Sequence, residues 1–269
     1  MRARILPLAA AVAAASAVTL SPMALADDNA TVYVLHGVPG ATVDVYVNGD
    51  AALTNFTPGT LTDALSLPAG EYDLKVTAPG AGADGAAIVE ASDVAVPAGA
   101  NVTVVAHLNA SGAPTLTPFV NDVSDTAAGQ GRLTVRHTAA APAVDVRANG
   151  EVAFPNVTNP NEAKADLPAG TLSADVVLAG TDTVAIGPAD VPVAEGKNTI
   201  VYAWGSAADG NLAFAVQSLD GLHSAPSAVP TGTAPLEDAT VRLLAATSLG
   251  AVVASVMFGA TRRREAARL

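Results

Sequence analysis

Apolar and polar residues alternate along this chain in short runs, each closed by a turn signal. Thr42-Val43-Asp44-Val45-Tyr46-Val47 alternates apolar with polar or aromatic residues and stops at Asn48-Gly49, a dipeptide suited to a two-residue hairpin turn. Leu67-Pro68-Ala69-Gly70 is a second punctuated turn. Glu71 to Thr77 follows it and alternates strictly, with Tyr72, Leu74 and Val76 directed to the expected core. Asp93 to Val96, Asn101 to His107 and Thr115 to Val120 continue the series, separated by Pro97-Ala98-Gly99 and Gly112-Ala113-Pro114. Seven or eight short strands in ~100 residues predict an all-β, immunoglobulin-like sandwich. Alanine is abundant, yet no internal helix of ordinary length is predicted.

The whole pattern then recurs. His36, Val43-Asp44-Val45, Asn48-Gly49, Leu67-Pro68-Ala69-Gly70 and Asp93-Val94 return as His137, Val144-Asp145-Val146, Asn149-Gly150, Leu167-Pro168-Ala169-Gly170 and Asp190-Val191. A unit of this length signals tandem domains rather than a solenoid, whose repeats run ~20–50 residues. The expected domains cover residues 27–121 and 132–220, joined by a polar, Gly-containing linker at 122–131. Residues 221–238, rich in Pro, Ser, Thr and Ala, read as an extended stalk. The expectation is a two-bead rod in which each bead folds alone.

The two ends suggest an address. Arg2 and Arg4 precede an apolar run from Ile5 to Leu20, and Ala24-Leu25-Ala26 supplies a small-x-small cleavage pattern. Residues 1–26 therefore read as a secretory signal peptide. Leu243 to Ala260 carries no charge, and as a helix it would extend ~27 Å, close to the hydrocarbon thickness of a bilayer. Arg262-Arg263-Arg264 and Arg268 follow, a cluster retained on the cytoplasmic side of a span. Residues 239–261 are thus expected to form a single-pass transmembrane helix, and 262–269 a basic cytoplasmic tail. The nearest approach to a sortase-type anchor site, Val229-Pro230-Thr231-Gly232, lacks the spacer residue between Pro and Thr. That leaves a retained membrane anchor with both domains outside the cell.

Charge and cysteine content narrow the partners. Between Asp27 and Asp238 there are six basic residues against 24 acidic ones. Such a surface repels a phosphate backbone, so nucleic acid is excluded as a partner. The chain has no cysteine, which rules out a disulfide framework and lipid attachment at a lipobox. Domains of ~100 residues are large enough to hold together on their cores alone.

Candidate chemistry is sparse. His36 with Asp44, and His137 with Asp145, form a recurring pair, and a His oriented by a carboxylate is the arrangement of a general base or of a metal ligand with its supporting shell. The bland reading is that each Asp caps loop N–H groups, or pairs with the His, to fix the first hairpin of each copy. No cysteine nucleophile and no Gly-x-Ser-x-Gly elbow is present, and neither is a His-Glu-x-x-His or Asp-x-Asp-x-Asp-Gly loop. No catalytic residue, cofactor or metal site is therefore predicted. Asp122 and Asp125, with Asp220, leave Ca²⁺ at the domain junction open. Trp204 is the one tryptophan, a candidate sugar platform if exposed and core or strand edge otherwise.

His137 through Gly150, read as His-x-x-x-x-Pro-Ala-Val-Asp-Val-x-x-Asn-Gly, resembles the opening signature of the domain of unknown function 4397 family. The Leu-Pro-Ala-Gly turn and Asp-Val-x-Val-x-x-Gly continue the likeness in both copies. The first copy departs from it at Gly37-Val38-Pro39-Gly40-Ala41, where the second has Thr138 to Pro142. The resemblance implies a β-sandwich in secreted and surface proteins of bacteria, and no established activity. The expected role is a non-catalytic, membrane-anchored display, adhesion or structural module on a bacterial cell surface. A receptor for an extracellular protein or glycan, and a hydrolase or metal-dependent enzyme built on the His–Asp pairs, are the alternatives.

Overall fold

The computed structural model describes residues 29–223. The expected signal peptide, most of the stalk, the membrane helix and the basic tail lie outside the described residues. Among the described residues there are strands and no helix, hence none long and apolar enough to cross a membrane.

The first half contains β1 (Asn29–Gly37), β2 (Val43–Val47), β3 (Asp50–Phe56), β4 (Leu65–Pro68), β5 (Gly70–Thr77), β6 (Ala87–Val96), β7 (Asn101–Leu108) and β8 (Pro114–Val120). The second half repeats it as β9 (Gln130–Ala140), β10 (Val144–Ala148), β11 (Glu151–Val157), β12 (Glu162–Pro168), β13 (Gly170–Leu178), β14 (Val184–Val193), β15 (Asn198–Ser206) and β16 (Ala213–Leu219). Each half has two four-stranded sheets, ordered β4-β1-β7-β8 and β3-β2-β5-β6 in the first, β12-β9-β15-β16 and β11-β10-β13-β14 in the second. One pairing in each half is parallel, β1 with β7 and β9 with β15. An immunoglobulin sandwich is built from antiparallel sheets; the parallel pair here places the ends of β1 and β7 together.

The local chemistry explains the hairpins. Asn48 and Gly49 have φ of 51° and 86°, Asn149 and Gly150 of 53° and 86°. Positive φ at both central residues is what a type I′ turn demands, and Asn-Gly adopts it at least cost. Asn48 Oδ1 then accepts from the Asp73 amide at 2.8 Å, pinning the turn to the next strand.

Alternation settles which residues meet. In the first half Ala30, Val32, Val96, Val102 and Val104 form one cluster between the sheets, and Val43, Val45, Phe56 and Val76 another. In the second half Leu133, Val135, Val144, Val146, Phe154 and Val201 belong to a single larger cluster. A further cluster belongs to neither half alone: Leu35, Val105 and Phe119 pack against Ile200, Tyr202 and Leu219. The sheet β4-β1-β7-β8 therefore turns its second face to the sheet β12-β9-β15-β16, and four sheets lie in series. The two halves thus meet through a packed seam as well as through the linker. Strands β7, β9 and β15 are buried along nearly their whole length, whereas β5 is exposed over its first half. The odd-numbered positions of β1 and β7 include Leu35 and Val105, whose apolar side chains take a second cover, and Thr103 and His107 are buried with them.

The 122–131 segment is correspondingly tied down. The Thr126 amide donates to Leu222 O at 2.7 Å, and Arg132 Nη1 bonds Ser124 O at 3.1 Å.

Candidate functional site

The two His–Asp pairs sit at the same end of their respective sandwiches and make the same bonds. His36 Nε2 donates to Ala41 O at 2.7 Å, while the Val38 amide approaches Nδ1 at 3.4 Å, which assigns the Nε2–H tautomer. His137 does the same with Pro142 O at 2.9 Å and the Ala139 amide at 3.4 Å. Asp44 accepts from the Asn55 and Gly80 amides, both at 2.8 Å. Asp145 accepts from Asn156 at 2.7 Å and Gly180 at 2.8 Å. Asn55 and Asn156 both have φ of 53°, at the irregular pairing of the first hairpin. Each carboxylate thus holds a left-handed bulge residue with one oxygen and a distant loop with the other.

All four side chains spend their polar atoms on backbone. Burial pushes the His36 and His137 imidazoles below their ordinary value, against the opposing effect of their carbonyl partners. The amides facing Asp44 and Asp145 hold those carboxyls below the usual range, because they stabilise the charged form. His36 additionally stacks on Phe56, ring centroids 5.7 Å apart. This geometry clamps loops; it joins neither His to its Asp.

Trp204 lies in the seam between the halves. A Cβ at Gly59 would meet a carbon of the indole at 2.9 Å, so the ring lies directly on the first half's Gly59, which also has a φ of 78°. Its indole Nε1 is buried without a partner among the described residues. The ring is a half-buried seam contact and offers no open sugar platform.

The seam also carries a polar network. Arg136 is 1 % exposed; its Nε bonds Glu162 at 2.8 Å, its Nη1 bonds the Tyr202 hydroxyl at 2.8 Å, and its guanidinium lies 4.4 Å from the Phe119 ring centroid. The Tyr202 hydroxyl donates to Gln217 Oε1 at 2.6 Å, and Thr103 Oγ1 of the first half donates to the same oxygen at 3.0 Å. Burial raises the Tyr202 phenol above its ordinary value, keeping it a neutral donor. A continuous hydrogen-bonded path therefore crosses from Glu162 to the first half.

A second group forms where the linker meets β9. Arg132 pairs with Asp122 and Asp166, each at 2.7 Å, and Lys164 pairs with Asp122 at 2.6 Å. Burial pushes Asp122 up, but hydrogen bonds from Lys164 and Ser124 and the Arg132 charge outweigh it and hold the carboxyl well below the usual range. Asp220 pairs with Lys197 at 2.6 Å. Of the junction carboxylates raised as a Ca²⁺ site, Asp122 and Asp220 are thus paired with the chain's own cations. Among the described residues no three His, Asp or Glu side chains are grouped to hold a metal ion.

The comparisons with known proteins can be set on this geometry. Residues 30–147 match the family model described as Domain of unknown function (DUF4397). The match is a single copy that takes in nearly all of the first half, crosses the linker and ends in β10, so it includes the His and Asp of both pairs but not Asn156 and Gly180. No curated protein matches the chain.

Sequence reasoning found the clamps and missed the seam. The available signal was Arg132-Leu133-Thr134-Val135-Arg136, which places two arginines on one face of a strand whose other face is core.

Proposed function

We propose that the chain is a non-catalytic surface module of a bacterium, two tandem copies of one immunoglobulin-like sandwich held outside the cell by a C-terminal span for display, adhesion or structural spacing. The observation that carries this reading is the commitment of the recurring His and Asp side chains to backbone. Every polar atom of His36, Asp44, His137 and Asp145 has a loop partner, so the residues most suited to chemistry serve the fold. The doubled sandwich, with inner sheets covered on both faces, suits a stiff spacer better than a pair of hinged receptors. The apolar stretch at 243–260 and the arginines after it support the anchor, and the Arg2–Ala26 pattern supports export.

Fractionation and protease shaving test the reading together. The mature chain is expected in the membrane fraction, protease added to intact cells should remove both halves, and deleting residues 239–269 should release a soluble product. Full-length protein in the medium, bound covalently to wall, or shielded from external protease overturns the assignment.

A further inference from the structure

At one end of the seam the halves hold each other through a small cluster gathered around Gly37. A Cβ at Gly37 would lie 3.2 Å from the Trp204 Cβ and 3.7 Å from the His107 Cβ. Trp204, from the second half, rests on Gly59 of the first. Reciprocally, His107 on β7 meets the second half: its surroundings include His137 and the Thr138 backbone, and it is fully buried. His107 Nδ1 donates to Leu108 O at 2.9 Å and Nε2 accepts from Thr117 Oγ1 at 2.9 Å. Leu108 O also receives Asn159 Nδ2 of the second half at 2.8 Å, and that same amide reaches Ala139 O at 2.6 Å. Asn159 Oδ1 is buried with no partner among the described residues.

We propose that His107 is a proton-sensitive latch, whose protonation opens this end of the seam while both sandwiches stay folded. A second proton on the ring must sit on Nε2, where Thr117 Oγ1 now donates, so the hydroxyl has to rotate its own proton away and accept there instead. The charge would then lie in a buried site with no carboxylate bonded to the ring. The titratable groups on the elements packed around it offer no compensation. β1 contributes His36 and β9 contributes His137, both neutral and buried; Arg136, also on β9, is a cation already bound by Glu162; β15 contributes Tyr202, whose phenol is neutral. β8 and the loop at 158–161 present Thr117 and Asn159, which do not titrate.

The direction follows from linkage. Burial, the largest effect, and then repulsion from His137 once that ring is protonated hold His107 below its ordinary value of 6.5, opposed by its backbone hydrogen bonds. The open seam therefore binds more protons than the closed one, and closure weakens as pH falls below 6.5. One proton taken up per opening event raises the open-to-closed ratio by up to ~10-fold per pH unit.

The chain's one tryptophan reports the event, because Trp204 sits in the cluster. The experiment follows Trp emission and far-UV circular dichroism of the full-length chain, in mild detergent, from pH 7.5 to 5. The latch predicts a red shift in emission with unchanged circular dichroism, and its loss in H107N. Constant emission, a simultaneous loss of circular dichroism, or an H107N response equal to wild type overturns it. If H107N fails to fold, hydrogen exchange on the wild type decides. After correction for the intrinsic rate, the peptide covering 105–110 and the loop at 158–161 should deuterate faster at pH 5.5 than at 7.5, and β2 and β5 should not; equal protection at both pH values overturns the latch.

Discussion

The two halves share a fold and a pair of loop clamps, yet they bring opposite chemistry to the surface where they meet. Strand pairing aligns them position by position: Leu35 stands beside Val105 on β1 and β7, where Arg136 stands beside Tyr202 on β9 and β15. Thr103 faces Phe119 on one side, and Ile200 faces Gln217 on the other. The first half thus offers Leu, Val and Phe where the second offers Arg, Tyr and Gln. A face of three apolar groups is self-complementary and invites other copies. Three polar groups in the same places accept only a partner that leaves each of them bonded. The asymmetry favours the intramolecular pairing, because Arg136 gains the Phe119 ring and Gln217 Oε1 gains the Thr103 hydroxyl only when the halves are together. Buried charge seldom adds net stability over a hydrophobic equivalent, and its well-attested use is in fixing register.

The comparison can be broken from either side. Phe119→Ala removes the largest apolar group of the first half's face, and is expected to cost about 4 kcal/mol by denaturant titration. Arg136→Ala strips Glu162 and the Tyr202 hydroxyl of a partner; because Glu162 keeps contact with water, the expected loss is smaller, about 3 kcal/mol. Together the two substitutions should fall short of their sum by ~1 kcal/mol, since Arg136 lies over Phe119. Strict additivity would mean that the faces do not touch as described.

Gly59→Ala probes the seam at Trp204. The new methyl would meet the indole, and the residue would have to keep a φ of 78°, so a loss of about 2 kcal/mol and a shifted Trp emission are expected. The smallest contrast concerns the clamps. Asp44→Ala and Asp145→Ala each leave two backbone amides unbonded and should lower Tm by a similar few degrees. Both effects are present at pH 7 and should fade as pH falls through the lowered carboxylate values, below the ordinary 3.8, because the stabilised species is the anion. A Tm unchanged in both variants would return these carboxylates to the catalytic or ligand-binding reading.

The outer sheets were legible in the sequence because each has one wet face. Strict alternation at Glu71–Thr77 and the Asn-Gly turns mark strand, face and hairpin without any knowledge of the partner sheet. The sequence marks the inner strands but does not reveal their second cover. Thr103, Val105 and His107 alternate with Val102, Val104 and Ala106, and periodicity cannot show that both sets are covered. The His–Asp motif was visible through its recurrence, but distance along the chain could not distinguish a dyad from two separate clamps; that depended on Asn55, Gly80, Asn156 and Gly180. The seam network eluded the sequence for the same reason, since Arg136 and Gln217 acquire meaning only through residues 15 to 114 positions away.

Calorimetry of the full-length chain at pH 7.5 tests the shared seam most directly. If the halves are one cooperative body, residues 29–223 melt in a single transition whose calorimetric and van't Hoff enthalpies agree, and Phe119→Ala lowers that whole transition. Two resolved transitions in the wild type, with Phe119→Ala shifting only one of them, would show that the halves are independent beads and contradict the account.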